Sequence, residues 1–189
     1  MGFATDAVYQ ASQVHGARVV HAGGDREMLR REEADALVAA ASLAVGVRVA
    51  DCVPVLVGDR TTGVVAAIHA GWRGVVAGVI AAAIDEMPAG AKVAAIGPCI
   101  GPCCFEVGAD VGAQIAEACG EPSAVASVRG DKAHVDLRVA VRALLRRAGL
   151  ADADVDDVPG CTKCDAVRFF SYRRDGANAG RQLAVICSR

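Results

Sequence analysis

Aromatic side chains are scarce in this sequence: one Trp, two Tyr and four Phe in 189 residues. That scarcity argues against a stacking platform for single-stranded nucleic acid. An excess of either charge is also missing, since 20 basic and 22 acidic residues leave a formal net charge of -2. Such a balance gives no global drive toward nucleic acid or an anionic membrane, and neither is expected as a partner. Uncharged runs such as 36–47 and 74–84 are too short to cross a bilayer as a helix. Met1 to Asp6 has neither the basic nor the apolar segment of a secretory leader, so a cytoplasmic chain with reduced thiols is expected. Repeats, low-complexity tracts and a clear linker are absent, which argues for one domain over residues 1–189. Eight cysteines are too few for a disulfide scaffold of this length, so each thiol needs its own explanation: packing, metal or catalysis.

What is present is apolar sequence, 53% of the chain, enough to bury a large core. Strands are expected over 17–22, 42–50, 53–57, 63–70 and 92–96, where β-branched or alternating residues cluster. Asp59 to Gly63 reads as the hairpin turn before the fourth of these. The mixed-charge stretch Asp25 to Glu33 reads as a solvated turn or short helix. Three further helices are expected. One follows Gly74 and runs to about Met87; one runs from about Ala109 to Cys119 and ends at Gly120; one is capped by Asp136 and stops at Gly149. Phe169 to Arg174 and Arg181 to Ile186 read as a final hairpin about the turn 175–180. Strands joined by hairpins, with helices inserted, predict an α+β layered domain and not a doubly wound sheet.

Only four histidines are available: His15, His21, His69 and His134. Cys52 and His69 stand on the two arms of the expected hairpin, near enough to its midpoint to face one another across the pair. A thiolate beside an imidazole is either half of a metal site or a nucleophile with its base. The segment His69-Ala70-Gly71-Trp72-Arg73-Gly74 places glycines, an indole and a guanidinium at a strand-to-helix junction. Gly permits close approach of a ligand, and Arg73 can hold an anion where a helix begins. Trp72 suits a flat base, although alone it reads more readily as core. Cys103-Cys104 makes a poor zinc pair in extended chain, where adjacent side chains diverge, and the single Cys161-Thr162-Lys163-Cys164 lacks a second pair. These cysteines are therefore assigned to packing or chance. By the same alternation, at most one of Arg173 and Arg174 faces a site.

Read in order, Gln-Val-His-Gly (13–16), Ala-Asp-Cys-Val-Pro (50–54), His-Ala-Gly-Trp-Arg-Gly (69–74), Ile-Gly-Pro-Cys-Ile-Gly-Pro (96–102), Phe-Glu-Val-Gly (105–108) and Phe-Phe-Ser-Tyr-Arg-Arg (169–174) resemble the YfiH or laccase-domain family. Its members are described as polyphenol oxidases, purine nucleoside phosphorylases or peptidoglycan-editing factors. The resemblance spans about Gln13 to Ile186. It implies a four-layer α/β/β/α sandwich and a zinc site of His15, Cys52 and His69; His15 enters only through the resemblance. It also implies phosphorolysis of adenosine, inosine, guanosine and methylthioadenosine, and deamination of adenosine. A purine nucleoside and phosphate are then the small-molecule partners. Arg73 is the first candidate to hold the anion and Arg48 the second. Asp51, beside Cys52, supports the ligands or moves protons.

Family members usually carry a segment before Gln-Val-His-Gly, with Arg-x-Gly-Gly and Asn-Leu-Gly stretches that line the pocket. Here Gln13 stands near the start, so the expectation is either a start codon placed too late or a short variant, with an exposed sheet edge where the missing strands would pair. Val49 also stands where the family often has Thr. Three rival readings remain: a metal-free Cys–His hydrolase acting on amide bonds, a copper oxidoreductase, and a form that keeps zinc for structure alone. Four histidines are too few for a conventional multicopper oxidase, which ranks copper below zinc.

Overall fold

A computed structural model describes residues 7–40 and 42–187. The leader question at Met1 to Asp6 lies outside them. In chain order the strands are β1 (Val8–Tyr9), β2 (Val19–His21), β3 (Ala36–Ala39), β4 (Ala44–Val49), β5 (Val53–Asp59), β6 (Val65–Ala70), β7 (Lys92–Ile96), β8 (Glu106–Gly108), β9 (Val125–Arg129), β10 (Lys132–Val135), β11 (Val155–Asp157) and β12 (Gln182–Cys187). The helices are α1 (Arg26–Arg31), α2 (Trp72–Ala77), α3 (Val79–Asp85), α4 (Ala109–Cys119), α5 (Leu137–Arg147) and α6 (Tyr172–Asp175).

Among the described residues three sheets form, ordered β11-β7-β5-β6-β3-β2, β1-β4-β12 and β8-β10-β9. The six-stranded sheet is mixed: β11 and β2 add in parallel at its two edges and the four central strands are antiparallel. Its inner strands β3, β5 and β6 are largely apolar runs because both faces are covered there. One face, with Val38, Val55, Ile68 and Ile96, packs against Val79, Ile80 and Ala83 of α3 and on toward α4 and α5. The other, with Leu37, Val65 and Ala67, meets Val45 and Val47 of β4, and α1 inserts Leu29 there beside Tyr9. The result is a layered α+β domain with two apolar interlayers, as expected. Among the described residues, no helix is long and apolar enough to cross a membrane.

Local chemistry accounts for most boundaries. Asp25 caps α1 by accepting from the amides of Glu27 and Met28, and Asp136 caps α5 by accepting from that of Arg138. Gly120 ends α4 in the left-handed conformation.

Two expectations need correction. The helix expected after Gly74 begins at Trp72 and is broken at Gly78, whose φ of 86° ends α2 and starts α3. The expected final hairpin does not form. Ser171 caps the short helix α6, and β12 pairs with β4 instead. The aromatic run 169–172 has strand propensity, but its backbone is engaged by side chains. The Gln182 amide accepts from Phe170 N at 2.7 Å and donates to Phe170 O at 3.2 Å.

Candidate metal centre and its cleft

The donor atoms of His15, Cys52 and His69 all lie within 4.8 Å of one another. Their convergence follows from local rules. In the β5–β6 pair His69 stands opposite Pro54, two residues from the expected partner Cys52. A slip of two preserves the face, so Cys52 and His69 become diagonal neighbours. His15 comes from the loop after β1, at a φ of 63°.

One buried carboxylate, missed at the sequence level, organises this loop. Asp35 accepts from the backbone N–H groups of Val14 (3.2 Å), His15 (2.9 Å) and Gly16 (2.7 Å). Its Oδ1 also accepts from Nδ1 of His69 at 2.7 Å. The turn is thus wrapped around an anion, and a left-handed His15 is the geometry that lets successive amides converge. The same contact fixes His69 as the Nδ1–H tautomer and leaves Nε2 free to face Cys52. Burial works against the Asp35 charge, but the His69 bond and the loop amides together hold its pKa below the usual carboxylate value. The signal in the sequence is a single acid set between alanines, next to a long uncharged run.

The electrostatics of the three groups are linked. Burial pushes the Cys52 thiol up, but hydrogen bonds from His15 and His69 outweigh it and bring the pKa down to about 7. Burial opposes the charge on His69 too, but Asp35 and Cys52 raise its pKa to about 9. His15 Nε2 lies 3.8 Å from Cys52 Sγ, and the His15 and His69 rings meet edge to face at 4.8 Å. Gly71 is required by space: a Cβ there would stand 2.8 Å from His15 Cδ2 and 3.1 Å from Cys52 Sγ.

The three groups open into a cleft of about 770 Å³. Its walls carry four arginines, Arg48, Arg73, Arg173 and Arg181, with Phe105 and Tyr172. Gln13 docks the His15 loop onto β4, its side-chain amide making two 2.8 Å bonds to the backbone of Arg48. Of the consecutive pair, Arg173 faces the cleft, while Arg174 donates to the carbonyls of Thr162, Lys163 and Phe169. Trp72 is not among the cleft residues; it packs against the core under the Arg73 guanidinium, at 4.8 Å from its ring centre. Asp51 borders the cleft at a φ of 88°, but each carboxylate oxygen is engaged at 2.6 Å, by Thr162 Oγ1 and by Arg173 N. Sequence reasoning left Phe105, Tyr172 and Arg181 without a role, the last two because α6 and the loop after it were expected as a hairpin.

A second group converges elsewhere. Cys103, Cys104, Cys161 and Cys164 have all four sulfurs within 4.8 Å of one another. Their assignment to packing or chance assumed extended chain at 103–104. Instead Cys104 N and Phe105 N both donate to Gly101 O at 2.9 Å, a turn in which neighbouring side chains converge.

Comparison with known proteins agrees with this architecture. The chain is 37% identical to a protein named adenosine deaminase RL5, from an unknown prokaryotic organism, over 98% of this chain and 77% of that one. It is 39% identical to a purine nucleoside phosphorylase of Deinococcus radiodurans, over 98% of this chain and 72% of that one. The structure of Bacillus licheniformis hypothetical protein YfiH superposes with a TM-score of 0.86 at 28% identity, over 97% of this chain and 74% of that one. The family described as multi-copper polyphenol oxidoreductase laccase matches residues 1–189. With the motifs, the layers and the relatives in agreement, the chain belongs to this laccase-like YfiH family.

Proposed function

We propose that the chain is a zinc-dependent purine nucleoside enzyme. In this reading it phosphorolyses adenosine, inosine, guanosine and methylthioadenosine, and deaminates adenosine. The observation that carries it is the convergence of His15, Cys52 and His69 on a cleft walled by four arginines. The names of the two relatives support the substrate class. A volume of about 770 Å³ suits a nucleoside with phosphate.

The residues fit zinc. Two imidazoles and one thiolate make a three-ligand set that leaves a fourth position open, and the Asp35–His69 bond is the usual support for a zinc-bound imidazole. Several copper ions would need more imidazoles than this chain has. His21 pairs with Glu86, and His134 with Pro102 O and Glu106, away from the cleft. When bound, zinc supplies Lewis acidity toward water and toward the reacting substrate.

The chain's own groups do the rest. The arginines hold phosphate so that an oxygen attacks the sugar carbon while the purine leaves with the electrons of the glycosidic bond and takes up a proton. In deamination, water adds to the purine carbon bearing the amino group and ammonia leaves. Arg73 stands four positions after His69 and Arg48 four before Cys52, and Gln13 holds the Arg48 backbone. Asp51 acts as a positioning residue, since both oxygens already bind Thr162 and Arg173.

The test is chromatographic: adenosine with the purified protein, with and without phosphate. Adenine formed only with phosphate, or inosine formed without it, is the expected result. No product from any purine nucleoside while zinc stays bound would overturn the reading. Activity that survives chelation but is lost to iodoacetamide would instead make Cys52 a nucleophile and His69 its base.

A further inference from the structure

We infer that Cys103, Cys104, Cys161 and Cys164 form a second metal site, a closed tetrathiolate centre for zinc that joins the two loops bordering the cleft. Geometry favours a shared ion. The Cys164 sulfur lies 3.7 Å from that of Cys103 and 3.3 Å from that of Cys104. A tetrahedral zinc with bonds of about 2.3 Å to sulfur sets its ligands about 3.8 Å apart. One sulfur placed between two others, with the fourth close by, is the arrangement of four ligands around one centre and not of pairwise bridges.

Apolar packing accounts for only half of the group, since Cys104 and Cys161 touch the core. Cys103 and Cys164 are exposed, and Cys104 and Cys161 are half-buried. A backbone donor is aimed at one of the four sulfurs. Gly101 N donates to Cys161 Sγ at 3.2 Å. A Cβ on Gly101 would stand 3.2 Å from Cys161 Cβ and 3.4 Å from Cys103 Sγ, so the residue leaves room for the sulfurs. Cys99 is not a ligand: it is fully buried beside the cluster, and its sulfur is not one of the four that converge. It serves instead through its backbone, accepting from Thr162 N at 3.0 Å and thereby aligning the 161–164 turn with the 99–104 loop.

Four ligands close the coordination sphere, so the role is structural. What it would hold is the far wall of the cleft. Thr162, between two of the cysteines, donates to Asp51 at 2.6 Å, and Arg173 Nη1 donates to Glu106 O at 3.0 Å, just past Cys104. Two segments about sixty positions apart would be tied by one ion, which removes much of the freedom the unfolded chain would keep between them.

Metal analysis of the full chain, purified with reductant, tests this directly and needs no turnover. The expected content is two zinc per chain, falling to one in Cys52→Ala and to one in a Cys161→Ala/Cys164→Ala double variant. X-ray absorption of Cys52→Ala should then show only sulfur ligands at about 2.3 Å. One zinc in the unaltered chain, unchanged in the double variant, would overturn the inference. So would an intact mass showing disulfides among these cysteines. Should the double variant not fold, alkylation of the unaltered chain decides. Exposed Cys103 and Cys164 should resist iodoacetamide until zinc is stripped, and immediate labelling of the zinc-loaded protein would refute the site.

Discussion

Asp35 shows how much a single side chain can arrange. Its carboxylate binds the loop that presents His15 and the ring of His69, so it sets the direction of two of the three proposed ligands. Asp35→Asn preserves shape but removes the charge that favours the Nδ1–H tautomer. Zinc affinity at the His15–Cys52–His69 centre should fall about 10–100-fold, measured by competition with a chelator; an unchanged affinity would show that the contact is incidental. Gly71→Ala should cost metal before it costs the fold, because the new methyl meets His15 and Cys52, groups at the cleft and not in the core. Its circular dichroism should match the unaltered chain while its zinc content drops; full zinc occupancy would contradict the packing argument. At this scale the sequence is partly legible. Cys52 and His69 are readable from a hairpin with a short turn. His15 is not, because its loop reaches the site by a fold-level path, and Asp35 reveals itself only through what it bonds.

Elements were most legible where a cap marks their ends. Asp136 and Gly120 announce the limits of α5 and α4, and both helices stand where those residues put them. Gly78 carried the same kind of signal inside an otherwise continuous helical pattern, and apolar periodicity concealed it. Because Gly78 has a φ of 86°, Gly78→Ala should destabilise the fold by about 1–2 kcal/mol in urea titration. A neutral effect would mean that α2 and α3 can fuse without strain. Asp136→Ala should cost about 1 kcal/mol in the same assay through the lost bond to Arg138 N. The segment 169–178 was misread for a different reason. Its aromatic residues favour strands, but the backbone hydrogen bonds go to side chains, Gln182 just beyond the segment and Asp51 from a distant part of the chain. No local pattern records such partners.

Across the whole molecule, two apolar interlayers set the frame, and a few buried charges make its stability depend on pH. Asp59 is only 3% exposed, at the turn between β5 and β6. The amides of Thr62 and Thr61 bind its Oδ1, and Lys92 lies 3.8 Å from Oδ2, so its pKa is held below the usual carboxylate value. A depressed carboxylate stabilises the fold fully above its unfolded value and loses that contribution as pH falls through the folded one. The difference in urea midpoint between the unaltered chain and Asp59→Asn should therefore be largest above about pH 4 and shrink in stronger acid. A constant difference across that range would assign the effect to shape and not to charge. The layered α+β class was legible at this scale because hairpins and capped helices alternate along the chain. The small sheet of β8, β9 and β10 was not: its strands are short and largely exposed.

The central claim is that one metal held by His15, Cys52 and His69 is needed for chemistry on purine nucleosides. The most direct measurement takes zinc content and adenosine turnover side by side, for the unaltered chain and for Cys52→Ala. The account predicts that the substitution removes one zinc per chain and abolishes turnover together. Full zinc with unchanged turnover in Cys52→Ala would contradict it.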